Sequence, residues 1–338
     1  MRQTQMLLTL DEQKDTLYAS ARNAGVAIER DEIDWRDEFV STGELKIHYL
    51  DWGQRGKRPL LLLHGGMQTA HTWDITAVAM RRDCHVVAMD LRGHGDSDWS
   101  EDGHYGHADH AGDIQGLVRH LGWEHFSLAG LSLGGLASLH FASHHGSLLD
   151  ALVIVDVGPE LSPRGVGRIV DFGRDTGELD SVDDFIEKAV QYNPRRRPEQ
   201  LRYSLTHNLR QLPNGKWTWK YDRRIARRPE GDAPQQQQPT HFEDMWDALR
   251  RIECPTLVVR GAESDVFPEQ TAKRMIELLP DGRFVTVPGA GHTVPQDNPA
   301  GFLAALRQGR VGGRLSSPLI HLVSRWASLR HRLGWKPG

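Results

Sequence analysis

The stretch that decides the fold is HFSLAGLSLGGLASLHFASHH, residues 125–145. An apolar run leads into the pentapeptide GLSLG (130–134), and residues that favour helix follow it. Glycine marks tight turns and serine is a good helix N-cap, so the pattern fits an ordinary strand-to-helix connection. It also fits a G-x-S-x-G turn that exposes Ser132 as a nucleophile. The rest of the chain has to decide between these two interpretations.

The strand-like pattern recurs on both sides of this stretch. RPLLLLHGG (58–66) and ALVIVDVGP (151–159) are continuous apolar runs that end in turn residues, as strands buried on both faces do. Helical segments such as TWDITAVAMRR (72–82) and YGHADHAGDIQGLVRHLGW (105–123) separate the runs. Alternating strands and helices predict a parallel sheet with right-handed crossovers and helices on both faces.

The alternation stops between about residues 160 and 247. This region is helical, with a Trp-rich stretch, GKWTWKYD (215–222), and a Pro- and Gln-rich loop, RRPEGDAPQQQQPTH (227–241), that is typical of an exposed connection. Strand patterns return in CPTLVVRGAESD (254–265) and GRFVTVPGAGH (282–292), so the insertion has the position of a cap. We divide the chain into an N-terminal helical extension (1–37), a core in two parts (38–158 and 248–308), a helical cap (159–247) and a basic tail (309–338).

Net charge, cysteines and apolar runs argue against several classes of protein. The chain of 338 residues has a net charge of −4, which argues against general nucleic-acid binding. Cys84 and Cys254 lie in or next to apolar runs and fit free thiols in a reducing compartment. The apolar run 6–10 is too short for a signal peptide, and no run approaches the roughly 18 residues of a membrane span. We expect a soluble cytoplasmic protein.

The tail carries a basic amphipathic pattern. In SSPLIHLVSRWASLRHRLGW (316–335), one helical face collects the apolar residues Leu319, Leu322, Val323, Trp326, Leu329 and Leu333. Such a helix suits weak contact with an anionic membrane surface or a partner through residues 315–335. The alternative is that it packs on its own domain, with its arginines in solvent.

A nucleophilic serine needs a base, an acid that orients the base, and donors for the oxyanion. His292 follows the last predicted strand in a Gly-rich loop and is the candidate base. Asp265, just past the preceding strand, is the candidate acid, with Glu263 as a substitute. Asp156 is a further alternative, for which bonding to loop backbone N–H groups is the favoured interpretation. The order Ser132, Asp265, His292 is that of a nucleophile elbow on an α/β sheet.

The oxyanion donors are predicted to be backbone N–H groups. One belongs to Leu133, directly after the serine, and the other to Gly66, with Met67 as second choice. We interpret His64 as structural. His104, His107 and His110 recur at three-residue spacing, but a serine mechanism needs no metal and no second ligand motif is present. We therefore expect neither a metal nor a cofactor.

Five motifs, LLHGG, DLRGHGDS, GLSLGG, RGAESD and GAGHTVPQDNP, follow one another between about residues 38 and 306. In this order the chain resembles the α/β-hydrolase fold superfamily. Within it the chain is similar to the capped serine esterase and lipase-like group, which also includes C–C hydrolases and cofactor-free haloperoxidases. The resemblance implies a mostly parallel sheet of about eight strands, helices on both faces and a cap inserted after strand 6.

The resemblance also implies an activity. A serine at the nucleophile position, where related dehalogenases and epoxide hydrolases have aspartate, points to a serine hydrolase. It would cleave a small-molecule carboxylic ester or lactone through an acyl-enzyme. The alternatives are a C–C bond hydrolase of ring-cleavage-type diketone acids, although Leu131 stands where several such enzymes have asparagine, or a perhydrolase. A more remote alternative is a non-catalytic ligand receptor on the same fold.

Overall fold

A computed structural model describes residues 8–226 and 242–308. The strands in these ranges are β1 (Arg36–Thr42), β2 (Leu45–Asp51), β3 (Arg58–Leu63), β4 (Cys84–Met89), β5 (Phe126–Leu131), β6 (Leu149–Val155), β7 (Glu178–Leu179), β8 (Leu209–Gln211), β9 (Trp217–Trp219), β10 (Thr256–Gly261) and β11 (Gly282–Val287). The helices are α1 (Leu10–Asn23), α2 (Asp74–Met80), α3 (His107–Leu121), α4 (Leu133–His145), α5 (Pro163–Asp175), α6 (Val182–Tyr192), α7 (Pro198–Asn208), α8 (Phe242–Arg250), α9 (Glu269–Leu278), α10 (Val294–Asp297) and α11 (Pro299–Gln308).

The main sheet has eight strands in the order β1-β2-β4-β3-β5-β6-β10-β11. β2 pairs antiparallel with β1 and β4, whereas the other neighbours pair in parallel. Because parallel strands run the same way, their carboxyl ends meet at one edge of the sheet, where open α/β folds place their ligands. The predicted mostly parallel sheet of about eight strands is confirmed.

Helices cover both faces of the sheet, which is why its strands read as continuous apolar runs. All residues of β4 and β5 are buried. One core cluster joins the sheet to α3, α4, α8 and α9 through residues such as Ile114, Phe141, Leu249 and Met275. A second cluster on the other face includes Leu17 of α1, Ala77 of α2 and Phe302 of α11.

A cap separates β6 from β10. It consists of α5–α7 and a small antiparallel sheet in the order β7-β9-β8, so the predicted insertion after strand 6 is confirmed. The cap has its own apolar cluster, in which Phe185 contacts Trp219 edge to face at 5.2 Å between ring centroids. Trp219 also donates from Nε1 to Thr176 Oγ1 at 3.0 Å. These contacts hold the Trp219 side chain in place within the cap.

Both cysteines are free and buried, as the sequence predicts. Within the described ranges, none of the helices combines the length and apolar character needed to cross a bilayer. The Gln-rich loop and the proposed tail helix lie outside the described residues.

A buried ion pair fastens β2 to the loop after β4. His48 Nδ1 lies 2.7 Å from Asp90 Oδ2, and its Nε2 lies 3.1 Å from Asp37. Burial alone would lower the pKa of His48, but the Asp90 and Asp37 carboxylates outweigh burial and raise it to about 10. His48 and the backbone N–H of Asp96 hold the pKa of Asp90 below its ordinary value against the opposing effect of burial.

These pKa shifts predict how stability depends on pH. A raised histidine pKa stabilises the fold fully below the unfolded value of 6.5, and this contribution is lost as pH rises through about 10. Because the pKa of Asp90 is lowered, its carboxylate stabilises the fold above 3.8, the pKa of the unfolded state. This contribution to stability is lost as the pH falls further. We expect His48→Gln to lower the free energy of unfolding by about 3 kcal/mol at pH 6 and by less at pH 10. Urea unfolding checks this, with exposed His125→Gln as control; an equal loss at both pH values would contradict it.

Candidate active site

Ser132 lies at a sharp turn between β5 and α4. Its backbone has φ 51° and ψ −115°, a strained conformation for a residue with a side chain. Leu133 begins α4 directly after it, and Ser132 N–H donates to Val155 O on the neighbouring strand β6 at 3.0 Å. The turn therefore holds the serine at the carboxyl edge of the sheet, at the amino end of a helix.

Two glycines make this turn sterically feasible. A Cβ on Gly130 would lie 2.3 Å from Gly134 O, and one on Gly134 would lie 2.5 Å from Leu63 O on β3. Both contacts are with backbone atoms, which cannot rotate away as a side chain could. The close packing of β5, α4 and β3 around Ser132 thus depends on the small residues of GLSLG.

His292 contacts Ser132 and Asp156. Its Nε2 lies 3.0 Å from Ser132 Oγ, and its Nδ1 lies 2.8 Å from Asp156 Oδ2. The carboxylate can only accept, so Nδ1–H donates to Asp156, which leaves Nε2 free to accept from the serine hydroxyl. The three side chains form one continuous hydrogen-bonded chain.

Asp156 takes the position that the sequence assigned to Asp265, and that assignment is wrong. The Asp156 side chain is fully buried, whereas the Asp265 side chain is 43% exposed and forms an ion pair with Arg168 of the cap. Glu263, the substitute acid, pairs instead with Arg195 at 2.6 Å. Both acids in the loop after β10 thus pair with cationic side chains of the cap.

The RGAESD motif (260–265) supports the acid rather than supplying it. Gly261 N–H donates to Asp156 Oδ1 at 2.9 Å, and Ser264 Oγ–H donates to Oδ2 at 2.5 Å. The backbone contact expected for Asp156 is therefore present, but it coexists with the bond to His292. The positive φ of 53° at Asp156 marks a second strained residue directly after a strand.

His64 orients the loop after β3. Its Nδ1–H donates to Gly65 O at 2.7 Å, and its Nε2 accepts from Leu91 N–H at 3.0 Å. Burial outweighs the nearby Asp90 and lowers the pKa of His64, so the ring is neutral. Both nitrogens are thus occupied, which matches the structural interpretation of this residue.

A cavity of about 330 Å³ opens between the sheet edge and the cap beside Ser132 and His292. Gly66, Met67 and Leu133, the three predicted oxyanion residues, all line it. Its further lining is mostly apolar and comes from the cap, including Ile169, Val170, Phe172, Ala189, Leu201, Leu205, Trp219 and Ile225. Among the aromatic residues of the cap, Trp219 lines the cavity, whereas Phe185 is buried inside the cap.

Two groups of side chains in the described ranges have possible metal-ligand atoms within 4.8 Å of one another, namely His71–Asp74–His207 and His48–Asp90–Asp96. His104, His107 and His110 form no such group in the part of the chain that the structure describes. The rings of His71 and His207 are stacked, with 3.5 Å between their centroids and 20° between their planes. In stacked rings the nitrogen lone pairs lie side by side and do not converge on one metal ion. Asp74 accepts from Tyr203 of the cap, and this group therefore links the cap to the core.

Comparison with known proteins places the chain in a family. The family model for the alpha/beta hydrolase fold matches residues 58–299, and the chain belongs to this family. Esterase Rv0045c of Mycobacterium tuberculosis is 31% identical over 299 residues, which cover 86% of this chain and 93% of that protein. The 3-hydroxybutyrate-oligomer hydrolase of Cupriavidus necator is 28% identical over 75% of this chain and 89% of its own length.

Solved structures give the same result. The crystal structure of Rv0045c superposes with a TM-score of 0.66 at 28% identity, covering 97% of this chain and all of that chain. The predicted α/β-hydrolase fold is thereby confirmed.

Proposed function

We propose that this protein is a serine carboxylesterase that hydrolyses a small-molecule ester or lactone through Ser132, His292 and Asp156. The observation that carries the proposal is the hydrogen-bonded chain between these side chains, of which Ser132 and His292 line an apolar cavity. The esterase activity in the name of the M. tuberculosis relative supports the same reaction class.

In the proposed reaction, Ser132 Oγ attacks the carbonyl carbon while His292 Nε2 takes the hydroxyl proton. Asp156 keeps the Nδ1–H tautomer in place and stabilises the imidazolium that forms. His292 then returns the proton to the leaving alcohol, and an acyl-Ser132 ester remains. Water attacks this ester with His292 as base, which releases the acid and restores the serine.

We assign the oxyanion to the backbone N–H groups of Leu133 and Gly66. Leu133 is the first residue of α4, so its N–H has no acceptor within the helix, and the helix dipole favours negative charge there. Gly65 O is held by the His64 ring, and in a trans peptide the Gly66 N–H points the opposite way from that carbonyl. Met67 remains the second choice. Each such donor is worth roughly 10²- to 10³-fold in rate.

The cavity suggests the size and polarity of the substrate. A volume of about 330 Å³ with mostly apolar walls suits a small to medium, partly apolar acyl or alcohol group.

We further propose that residues 159–247 form the cap and that the protein is cytoplasmic. We also propose that residues 315–335 contact a membrane surface or a partner.

A substrate panel tests the proposed reaction. We expect hydrolysis of p-nitrophenyl esters or lactones, with the rate falling when the acyl chain outgrows the cavity. The panel includes a dienoate ring-cleavage product and hydrogen peroxide with acetate, because C–C hydrolysis and perhydrolysis are the alternatives. A preference for the dienoate over every ester and lactone would contradict the proposed ester reaction.

A further inference from the structure

One arginine lines the apolar cavity. Among the described residues that line it, Arg196 is the one lysine or arginine, and neither aspartate nor glutamate joins it. Arg196 is half-buried, and its Nε atom is buried and has no hydrogen-bond partner within the described residues. An arginine therefore lines the cavity, and none of the described lining residues carries a compensating negative charge.

The partners that Arg196 does have are neutral. Its Nη2 donates to Gln200 O at 3.3 Å and to Ser204 Oγ at 2.5 Å, both on α7. The acid that influences its pKa is Asp297, whose oxygens already accept from Asn193 Nδ2 at 2.8 Å, Thr293 Oγ1 at 2.8 Å and Gly291 N–H at 2.9 Å. Within the described ranges Arg196 thus forms no ion pair.

The neighbouring arginines are placed differently. Arg195 forms an ion pair with Glu263 at 2.6 Å, and Arg197 is exposed. Burial lowers the pKa of Arg196 to about 10, with Asp297 opposing the shift, so its guanidinium is still charged at neutral pH. A half-buried cation without an ion-pair partner is costly, and an anion that enters the cavity would offset this cost.

We propose that Arg196 binds a carboxylate carried by the substrate, so that the enzyme prefers esters with a free acid group. This inference rests on the proposed esterase function and names its substrate class. A planar guanidinium binds carboxylates through short, charge-assisted hydrogen bonds. One positive charge between apolar walls balances a carboxylate monoanion, whereas a phosphate dianion would leave a negative charge in the cavity. The apolar walls would then hold the chain between the acid and the scissile ester.

Matched substrates test this specificity. Mono-p-nitrophenyl adipate and suberate carry a free carboxylate, and their methyl esters have nearly the same shape without the charge. We expect the wild-type kcat/KM to favour the acid of a matched pair by roughly 10- to 100-fold, as a charge-assisted hydrogen bond in a desolvated site would give. A second series, the acetate esters of 4-hydroxybutyrate and 6-hydroxyhexanoate followed by pH-stat, places the acid on the leaving group.

Three variants separate charge from packing. Arg196→Met should reduce the acid-to-methyl-ester ratio to near one, chiefly through KM, and Arg196→Lys should keep part of it. Arg197→Met, on the exposed neighbour, should keep the full ratio. Because the ratio compares two substrates on one protein, it does not depend on the fraction of enzyme that is folded.

A binding measurement decides the proposal independently of turnover. Calorimetric titration of Ser132→Ala with monomethyl adipate should show binding that the Ser132→Ala, Arg196→Met double variant loses, while the folded fraction is followed by circular dichroism. Wild-type enzyme without preference for acids in either series, or an unchanged preference in Arg196→Met, would overturn the inference and leave the esterase proposal intact. Absence of Ser132-dependent hydrolysis of every ester would refute the esterase proposal, and the titration would still test Arg196.

Discussion

Ser132→Ala is expected to lower kcat by about 10⁵- to 10⁶-fold against the best ester of the panel. The reason is that the Ser132 hydroxyl, 3.0 Å from His292 Nε2, is the group that forms the acyl-enzyme. Residual activity would come from water activated by His292 beside the oxyanion donors. Steady-state kinetics with p-nitrophenolate release measures the loss.

A second serine on the same helix provides the control. Ser143 lies towards the carboxyl end of α4, where its Oγ donates to His140 O at 2.9 Å, far along the helix from the turn. Ser143→Ala should keep the wild-type kcat. A Ser132→Ala enzyme with more than a hundredth of wild-type activity would contradict the assigned nucleophile.

Asp156→Asn is expected to lower kcat by about 10³- to 10⁴-fold. The amide that replaces the carboxylate would favour the wrong tautomer of His292, because an Asn NH₂ group donates to Nδ1 and so places the proton on Nε2. Gly261 N–H would still donate to the amide oxygen at the Oδ1 position, and Ser264 Oγ, which contacts the Oδ2 position, would accept from the amide NH₂ group, so the fold should survive. Kinetics together with thermal unfolding separate the loss of activity from a loss of stability.

Asp265→Asn is the matched control, since the same change is made at the acid that the sequence favoured. It breaks an exposed ion pair with Arg168, which is worth about 1 kcal/mol or less. We expect activity within a few-fold of wild type. If Asp265→Asn were the damaging change and Asp156→Asn the mild one, the acid assigned from the structure would be wrong.

The choice between Asp156 and Asp265 as the acid could not be made from the sequence. Both follow predicted strands at the same sheet edge, so spacing alone cannot rank them. The choice depends on where each loop turns after its strand: the positive φ at Asp156 directs its side chain into the sheet edge, while Asp265 lies beside a cap arginine. Contacts with an insertion that is distant in sequence cannot be read from a local motif.

Ser132 and His292 were identified correctly as a contacting pair because each has a strong local signal. A Cβ on the glycines around Ser132 would lie too close to backbone atoms. These positions therefore require glycine, and the sequence shows this as the G-x-S-x-G pattern. The cap lacks this kind of signal. Trp217 and Trp219 lie two residues apart on β9, yet Trp219 lines the cavity and Trp217 does not, because that depends on how β9 packs.

Arg196 is the site residue that sequence analysis missed as an individual. It lies in a run of three arginines, of which Arg195 and Arg197 are exposed and Arg195 pairs with Glu263. The tertiary structure alone turns the middle residue towards the cavity. Its buried, unpartnered Nε distinguishes it from its neighbours.

The most direct test of the central claim is covalent labelling with a fluorophosphonate, followed by peptide mapping. We expect a single adduct on Ser132, formed quickly in wild type and in Asp265→Asn, and much more slowly in Asp156→Asn. No adduct should form in Ser132→Ala. An adduct on another residue would contradict the assignment of Ser132, His292 and Asp156 as the reacting group, its base and its acid. The absence of any label on the wild-type enzyme, as expected of a non-catalytic receptor, would contradict it as well.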